Sequence, residues 1–287
     1  MLFLLAAGLT LVFGIMDMIN LAHGSLYMLG AFLASTFVAL TGSFTAGVLL
    51  AIPATAILGM ALEVTVLRTL YERDHLSQVL ATFALILILN EVVRLVWGSD
   101  AALPMPAALS GPVELLPGLP YPAYRLVIIA VGLFIAILLY FLVAKTRVGM
   151  LVRAGASNRE MALAMGVNIK LLFTLVFGAG AALCALAGAL LGPLFAVQVG
   201  MGESILILAF VVIVIGGIGS IRGALVGAVL VGVVDTIGRA FLPLLFGLVF
   251  QPRVASAAGP AIASVSIYLL MAVILYFKPK GLFPARG

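Results

Sequence analysis

The residues best placed to do chemistry stand in short polar interruptions of an otherwise apolar chain. The first is Gly14-Ile-Met-Asp-Met-Ile-Asn-Leu-Ala-His-Gly-Ser25, which sets Asp17, Asn20, His23 and Ser25 between two apolar stretches. Polar groups in apolar surroundings are costly, and they face a protein interior or a water-filled path. Gly24 can loosen a helix there and expose backbone groups to a solute, as the broken helices of membrane proteins do. The same residues also read as an ordinary turn, with Asn20 or Ser25 capping the next helix. The second interruption is Gln198-Val-Gly-Met-Gly-Glu-Ser204, where Gly202, Glu203 and Ser204 precede an apolar block. Free N–H groups at a helix start could receive a carboxylate. Capping by Glu203 or Ser204 explains the pattern more simply.

The third interruption, Gly216-Gly-Ile-Gly-Ser-Ile-Arg-Gly223, resembles a phosphate loop only in its glycines. No Lys-Ser/Thr follows and no strand precedes it, so its glycines suit a tight helix–helix turn. No Walker motif occurs anywhere, and the chain is not expected to hydrolyse ATP. Glu91/Arg94 and Asp235/Arg239 stand at i,i+3 and i,i+4, so each pair can neutralise itself on one helix face. A proton relay would use such groups, but a structural ion pair is the plainer reading. One cysteine, Cys184, excludes an internal disulfide, and His23 and His75 are too few for a metal cluster. No Ser/His/Asp or paired-carboxylate arrangement points to an intramembrane enzyme. No cofactor is expected.

These residues need elements to hold them, and composition names the kind. Of 287 residues, 65% are hydrophobic and 9% charged, with mean hydropathy +1.35. A soluble domain carries roughly 25% charged residues. A β-barrel would alternate in polarity, whereas Ile205–Ile215 and Ile262–Phe277 are apolar on every face. The chain reads as all-α, one polytopic transmembrane helical bundle over 1–287, of about 8–10 spans with broken or re-entrant helices. Candidate spans are 2–16, 24–41, 44–63, 77–97, 124–143, 171–190, 204–218, 224–242 and 261–277. The first supplies fewer than the roughly 20 residues of a full span. Either that helix breaks near Asp17–Gly24 or the protein starts upstream of Met1. No basic region precedes it as in a cleavable signal peptide.

The net charge of +5 reports topology here and not nucleic-acid binding. The 145–170 loop holds Lys145, Arg147, Arg153, Arg159 and Lys170 against Glu160, and the C-terminal tail adds Lys278, Lys280 and Arg286. Both read as cytoplasmic under the positive-inside rule. Counting spans then puts 68–74 and Arg222 inside, and puts 98–123 and the N-terminus outside.

Within the basic loop, Ser157 or Asn158 can cap a short helix, Glu160 lies in its first turn, and Gly166 ends it. Met161, Leu163, Ala164 and Met165 leave apolar positions on that helix, which needs a groove or a membrane surface. The E-x-A-x-x-x-G spacing of Glu160, Ala162 and Gly166 resembles the ATPase-coupling loop of ABC importer permeases.

With that loop, the chain resembles the permease family of branched-chain amino acid ABC transporters, the shorter of its two permease types. The matching stretches are Gly8–Gly14, Ile19-Asn-Leu-Ala-His-Gly24, Leu26–Ala31, Ala162–Asn168, Gly216–Ser220 and Gly223–Gly227. Asp17-Met18 departs from the uncharged pair of many members, and family solutes extend to urea, short amides and aromatic or dicarboxylic acids. The resemblance implies an ATP-driven importer in the bacterial inner membrane. Its parts would be this chain, a homologous second permease, two ATP-binding subunits and a periplasmic solute-binding protein. The ATPases would push on the 157–166 helix, while Asn20, His23, Gly24, Ser25, Gly202, Glu203 and Ser204 would border the solute path. The rival is an ion-coupled secondary transporter using Asp17, Glu203 or Asp235, which would have no ATPase for such a helix to dock.

Overall fold

The computed structural model describes residues 1–116, 118–248 and 251–283. Arg286 of the basic tail lies outside these residues. Nine apolar helices occupy the nine expected positions: α1 (Leu2–Met16), α2 (His23–Thr41), α3 (Phe44–Thr65), α4 (His75–Trp97), α5 (Ala123–Lys145), α8 (Ile169–Leu191), α9 (Met201–Gly216), α10 (Ile221–Gly247) and α11 (Pro252–Phe277). Two further helices, α6 (Arg147–Ser157) and α7 (Arg159–Ala164), fill the basic loop where one was expected. Seven of the nine are long and apolar enough to cross a membrane; α1 and α9, of 15 and 16 residues, are not. At 1.5 Å per residue they reach about 22–24 Å, short of a hydrocarbon layer of about 30 Å.

Burial sorts the helices. The membrane-length window of α8 is 67% buried within the chain and that of α5 only 6%. With α1, buried on nearly every side, α8 and α2 form the centre. α4, α5, α10 and α11 turn their apolar faces away from the chain. Small residues let the central helices touch. A methyl on Gly188 would overlap the Tyr27 carbonyl, and one on Gly30 would overlap the Ala185 backbone. In a membrane such close packing replaces the hydrophobic drive that lipid cannot supply.

Contacts at the two ends define two sides. At the basic end, Tyr71 Oη lies 3.6 Å from Met16 Sδ and the Arg222 guanidinium 5.2 Å above the Tyr140 ring. There the glycines at 216–219 make the expected tight turn. Ser220 Oγ caps α10 by accepting from Gly223 N at 3.1 Å. The tail clamps the turn: Leu282 N donates to Ile215 O and Phe283 N to Gly216 O, each at 2.9 Å. At the opposite end, β1 (Asp100–Ala101) pairs with β4 (Val197–Gln198), and a hairpin of β2 (Pro112–Leu116) and β3 (Leu119–Pro122) covers the Pro-rich segment. Trp97 Nε1 donates to Thr36 Oγ1 at 2.7 Å there.

Candidate functional site

The break after α1 is made by Asp17, the only non-glycine residue with positive φ (50°) among the described residues. Aspartate tolerates this left-handed conformation better than most side chains. Residues 18–22 then run irregularly through protein, with Met18 and Asn20 fully buried, which is where membrane proteins tolerate non-helical backbone. Asn20 Oδ1 accepts from Ala22 N at 3.0 Å, but α2 itself starts without a side-chain cap. Gly24 is not the break; it lies in the first turn of α2 and serves close packing.

His23 sits at the heart of the bundle. Its Nε2 is 3.0 Å from Cys184 Sγ on α8, and its ring meets Phe177 edge-on, centroids 6.4 Å apart. Gly8 and Gly180 make room: a methyl on Gly8 would come within 2.9 Å of His23 Nε2. His23 Nδ1, Asn20 Nδ2 and Thr10 Oγ1 are buried and find no hydrogen-bond partner among the described residues. Unpaired buried polar atoms are expensive, so each of the three calls for an explanation.

The second interruption meets the first at one point. A methyl on Gly24 would overlap the Gly202 carbonyl oxygen, and one on Gly202 the Gly24 oxygen. The structure therefore brings Asn20, His23, Gly24 and Ser25 together with Gly202 in the interior. It does not bury Glu203 or Ser204 with them. Both are exposed on α9; Glu203 Oε1 accepts from Asn90 Nδ2 at 2.8 Å, and Ser204 Oγ donates to Met201 O at 3.4 Å. Neither caps α9, whose N-cap is Gly200 with φ 86°.

At the basic end, Asn158, and not Ser157, caps α7, its Oδ1 accepting from Met161 N at 2.9 Å. Glu160 occupies the first turn, Ala162 is buried, and Gly166, φ 84°, closes the helix. Met161, Leu163 and Met165 point outward, 59%, 52% and 79% exposed. Arg159 lies 4.9 Å over the Phe173 ring of α8, and Phe173 packs edge-on against Tyr71 with centroids 5.3 Å apart.

Behind Tyr71 is a network that sequence reading missed. Glu63, wholly buried at the end of α3, accepts from Arg68 Nη2 (3.0 Å) and Nε (3.3 Å), Tyr71 Oη (2.8 Å) and Thr174 Oγ1 (2.7 Å). The bond to Glu63 is the main reason the Arg68 guanidinium is held above its ordinary pKa. Burial first, then the same carboxylate, pushes the Tyr71 hydroxyl up. A lone acid near the end of an apolar run was the available signal; its partner five residues on, past the helix end, matches no helical spacing. The two pairs that do match form as read, Arg94–Glu91 at 3.0 Å and Arg239–Asp235 at 2.7 Å.

The fold and this arrangement define a class, a multi-pass α-helical membrane protein. The sequence profile of the family described as "Branched-chain amino acid transport system / permease component" matches residues 1–277. The high-affinity branched-chain amino acid transport system permease protein BraD of Pseudomonas aeruginosa is 30% identical over 296 residues, covering 97% of this chain and 90% of that protein. The protein of that description named LivH from Escherichia coli is 32% identical over 260 residues, 83% of this chain and 82% of its own. A probable LivH of Methanocaldococcus jannaschii is 28% identical over 262 residues, 87% and 81%. No solved structure matches. The chain belongs to the branched-chain amino acid transport permease family.

Proposed function

We propose that this chain is the membrane-spanning permease subunit of an ATP-driven importer in the cytoplasmic membrane, moving branched-chain amino acids or related small organic solutes. The solute class follows the names of its relatives. The observation that carries the energy source is α7: a short capped helix at the basic end, offering Met161, Leu163 and Met165 outward. Exposed apolar side chains on one short helix suit a groove in a partner, here an ATP-binding subunit. The basic end faces the cytoplasm. Two such ATPases, a homologous second permease and a periplasmic solute-binding protein complete the importer.

Movement of α7 reaches the bundle through Arg159 on Phe173 and through Tyr71 to the end of α1. The segment after α1 carries Asn20, His23, Gly24 and Ser25, which border the solute path with Gly202, Glu203 and Ser204. An ion-coupled mechanism has less support, since Asp235 is paired with Arg239 and Glu203 is bonded to Asn90 on exposed faces.

Glu160→Lys and Gly166→Leu test the docking role. Losing even 1.4 kcal/mol of docking free energy weakens ATPase association about tenfold. Uptake should fall accordingly while the permease stays folded in the membrane. Normal uptake by both variants would refute it.

A further inference from the structure

Between the α3–α4 turn and the start of α7 lies a cleft of about 230 Å³, lined by Arg68, Tyr71, Glu72, Arg159, Lys170 and Phe173. It is smaller than the roughly 300–1,000 Å³ of sites for drug-sized ligands, so a compact headgroup or ion is its natural occupant. Three cations line it against one carboxylate, Glu72. Arg68 is held by Glu63 through Nε and Nη2, which leaves Nη1 without a bonded partner among the described residues. Arg159 and Lys170 have no carboxylate within ion-pair distance among the described residues. The Arg159 guanidinium carbon lies 4.9 Å over the Phe173 ring, a contact with the ring face that does not use up guanidinium N–H donors.

We infer that this cleft binds a phosphate oxyanion, held by Arg159 and Lys170 with the free edge of Arg68, and supplied by an acidic phospholipid headgroup or by free phosphate. A guanidinium fork matches two phosphate oxygens and an ammonium adds a point charge. The cleft's lining includes Arg68, just past the end of α3, and Lys170, at the start of α8. The ends of spanning helices are the level at which headgroups would meet the protein, and basic pockets between such helices recognise acidic lipids. Arg159 and Ala162 share the inner face of α7, so a bound phosphate would brace α7 against α8 and leave Met161 and Met165 outward. The choice of leaflet rests on the sidedness proposed above, but binding itself does not.

The test uses the whole chain in nanodiscs of phosphatidylcholine alone or mixed with phosphatidylglycerol, with retained lipid counted by native mass spectrometry. Arg159→Gln with Lys170→Gln should lower phosphatidylglycerol retention roughly thirtyfold, the equivalent of about 1 kcal/mol for each of the two cations near a membrane surface. Lys145→Gln with Arg147→Gln, equal in charge but outside the cleft, should not. Displacement of that lipid by inorganic phosphate, lost in the cleft variant, also supports the site and gives the free ion as its source. Three results overturn it: equal retention of both lipids, equal loss in both charge variants, or unchanged lipid retention with lost ATPase-subunit binding in the cleft variant. The last would give the cleft to a protein carboxylate.

Discussion

Removing Arg68 should destabilise the protein more than removing its partner, and removing both should restore part of the loss. Glu63 is wholly buried and has one cation; Arg68 is 31% exposed. Arg68→Ala strands a buried carboxylate on two hydroxyls, those of Tyr71 and Thr174. Breaking a buried pair from that side costs about 3–5 kcal/mol. Glu63→Ala leaves a guanidinium that can swing to water, so its cost is closer to the charge-assisted bonds themselves, about 1.5–3 kcal/mol. The double variant has no stranded charge and should cost less than Arg68→Ala alone, a coupling of about 2 kcal/mol. Unfolding in mixed micelles of rising denaturing-detergent fraction measures this. Trp97, the sole tryptophan, reports from the opposite end, beside Thr36. If Arg68→Ala costs no more than Glu63→Ala, or the two costs simply add, the buried-pair account is wrong.

Three further outcomes are expected. Gly24→Ala or Gly202→Ala should cost about 1–3 kcal/mol by overpacking, seen as a lower folded yield, whereas Gly111→Ala, with open space around it, should be silent; equal yields for all three would contradict the crossing. Asn20→Ala and Ser204→Ala, one at a time, should alter transport or solute preference with near-normal assembly. Lost assembly, or unchanged handling of every solute, would remove these residues from the path. With Cys184 replaced by alanine, Ser110→Cys should label from the outer side and Met165→Cys from the cytoplasmic side, and the reverse pattern would invert the topology.

The nine apolar helices were legible because run length alone decides them. Ends were less so beside prolines. The last span reads as starting at 261, but α11 begins at Pro252 and continues through Pro260; α10 likewise runs past Pro243. Neighbouring helices can accommodate the carbonyl that a membrane-helix proline frees. α6 was illegible because Arg147–Ser157 is amphipathic, with basic residues breaking its apolar run. In the candidate site, the break was visible as a polar interruption, but its hinge is Asp17, not Gly24. The His23–Cys184 contact joins residues 161 apart, a pairing no local spacing encodes. Glu63 and Arg68 stayed hidden for the opposite reason: they are near neighbours whose pairing crosses the end of a helix.

The contrast between α5 and α1 bears on how the protein is made. α5 has the highest hydropathy of the seven long helices, 3.2, and is almost unburied, so it can leave the translocon for lipid on its own composition. α1 is short and leads into unpaired polar groups. Its main packing partners include α8, which is completed only at Leu191. α1 is thus synthesised well before the helix that shelters it most. A nascent chain released before Leu191 should therefore present an uncovered α1 to lipid, and become a target for membrane quality control.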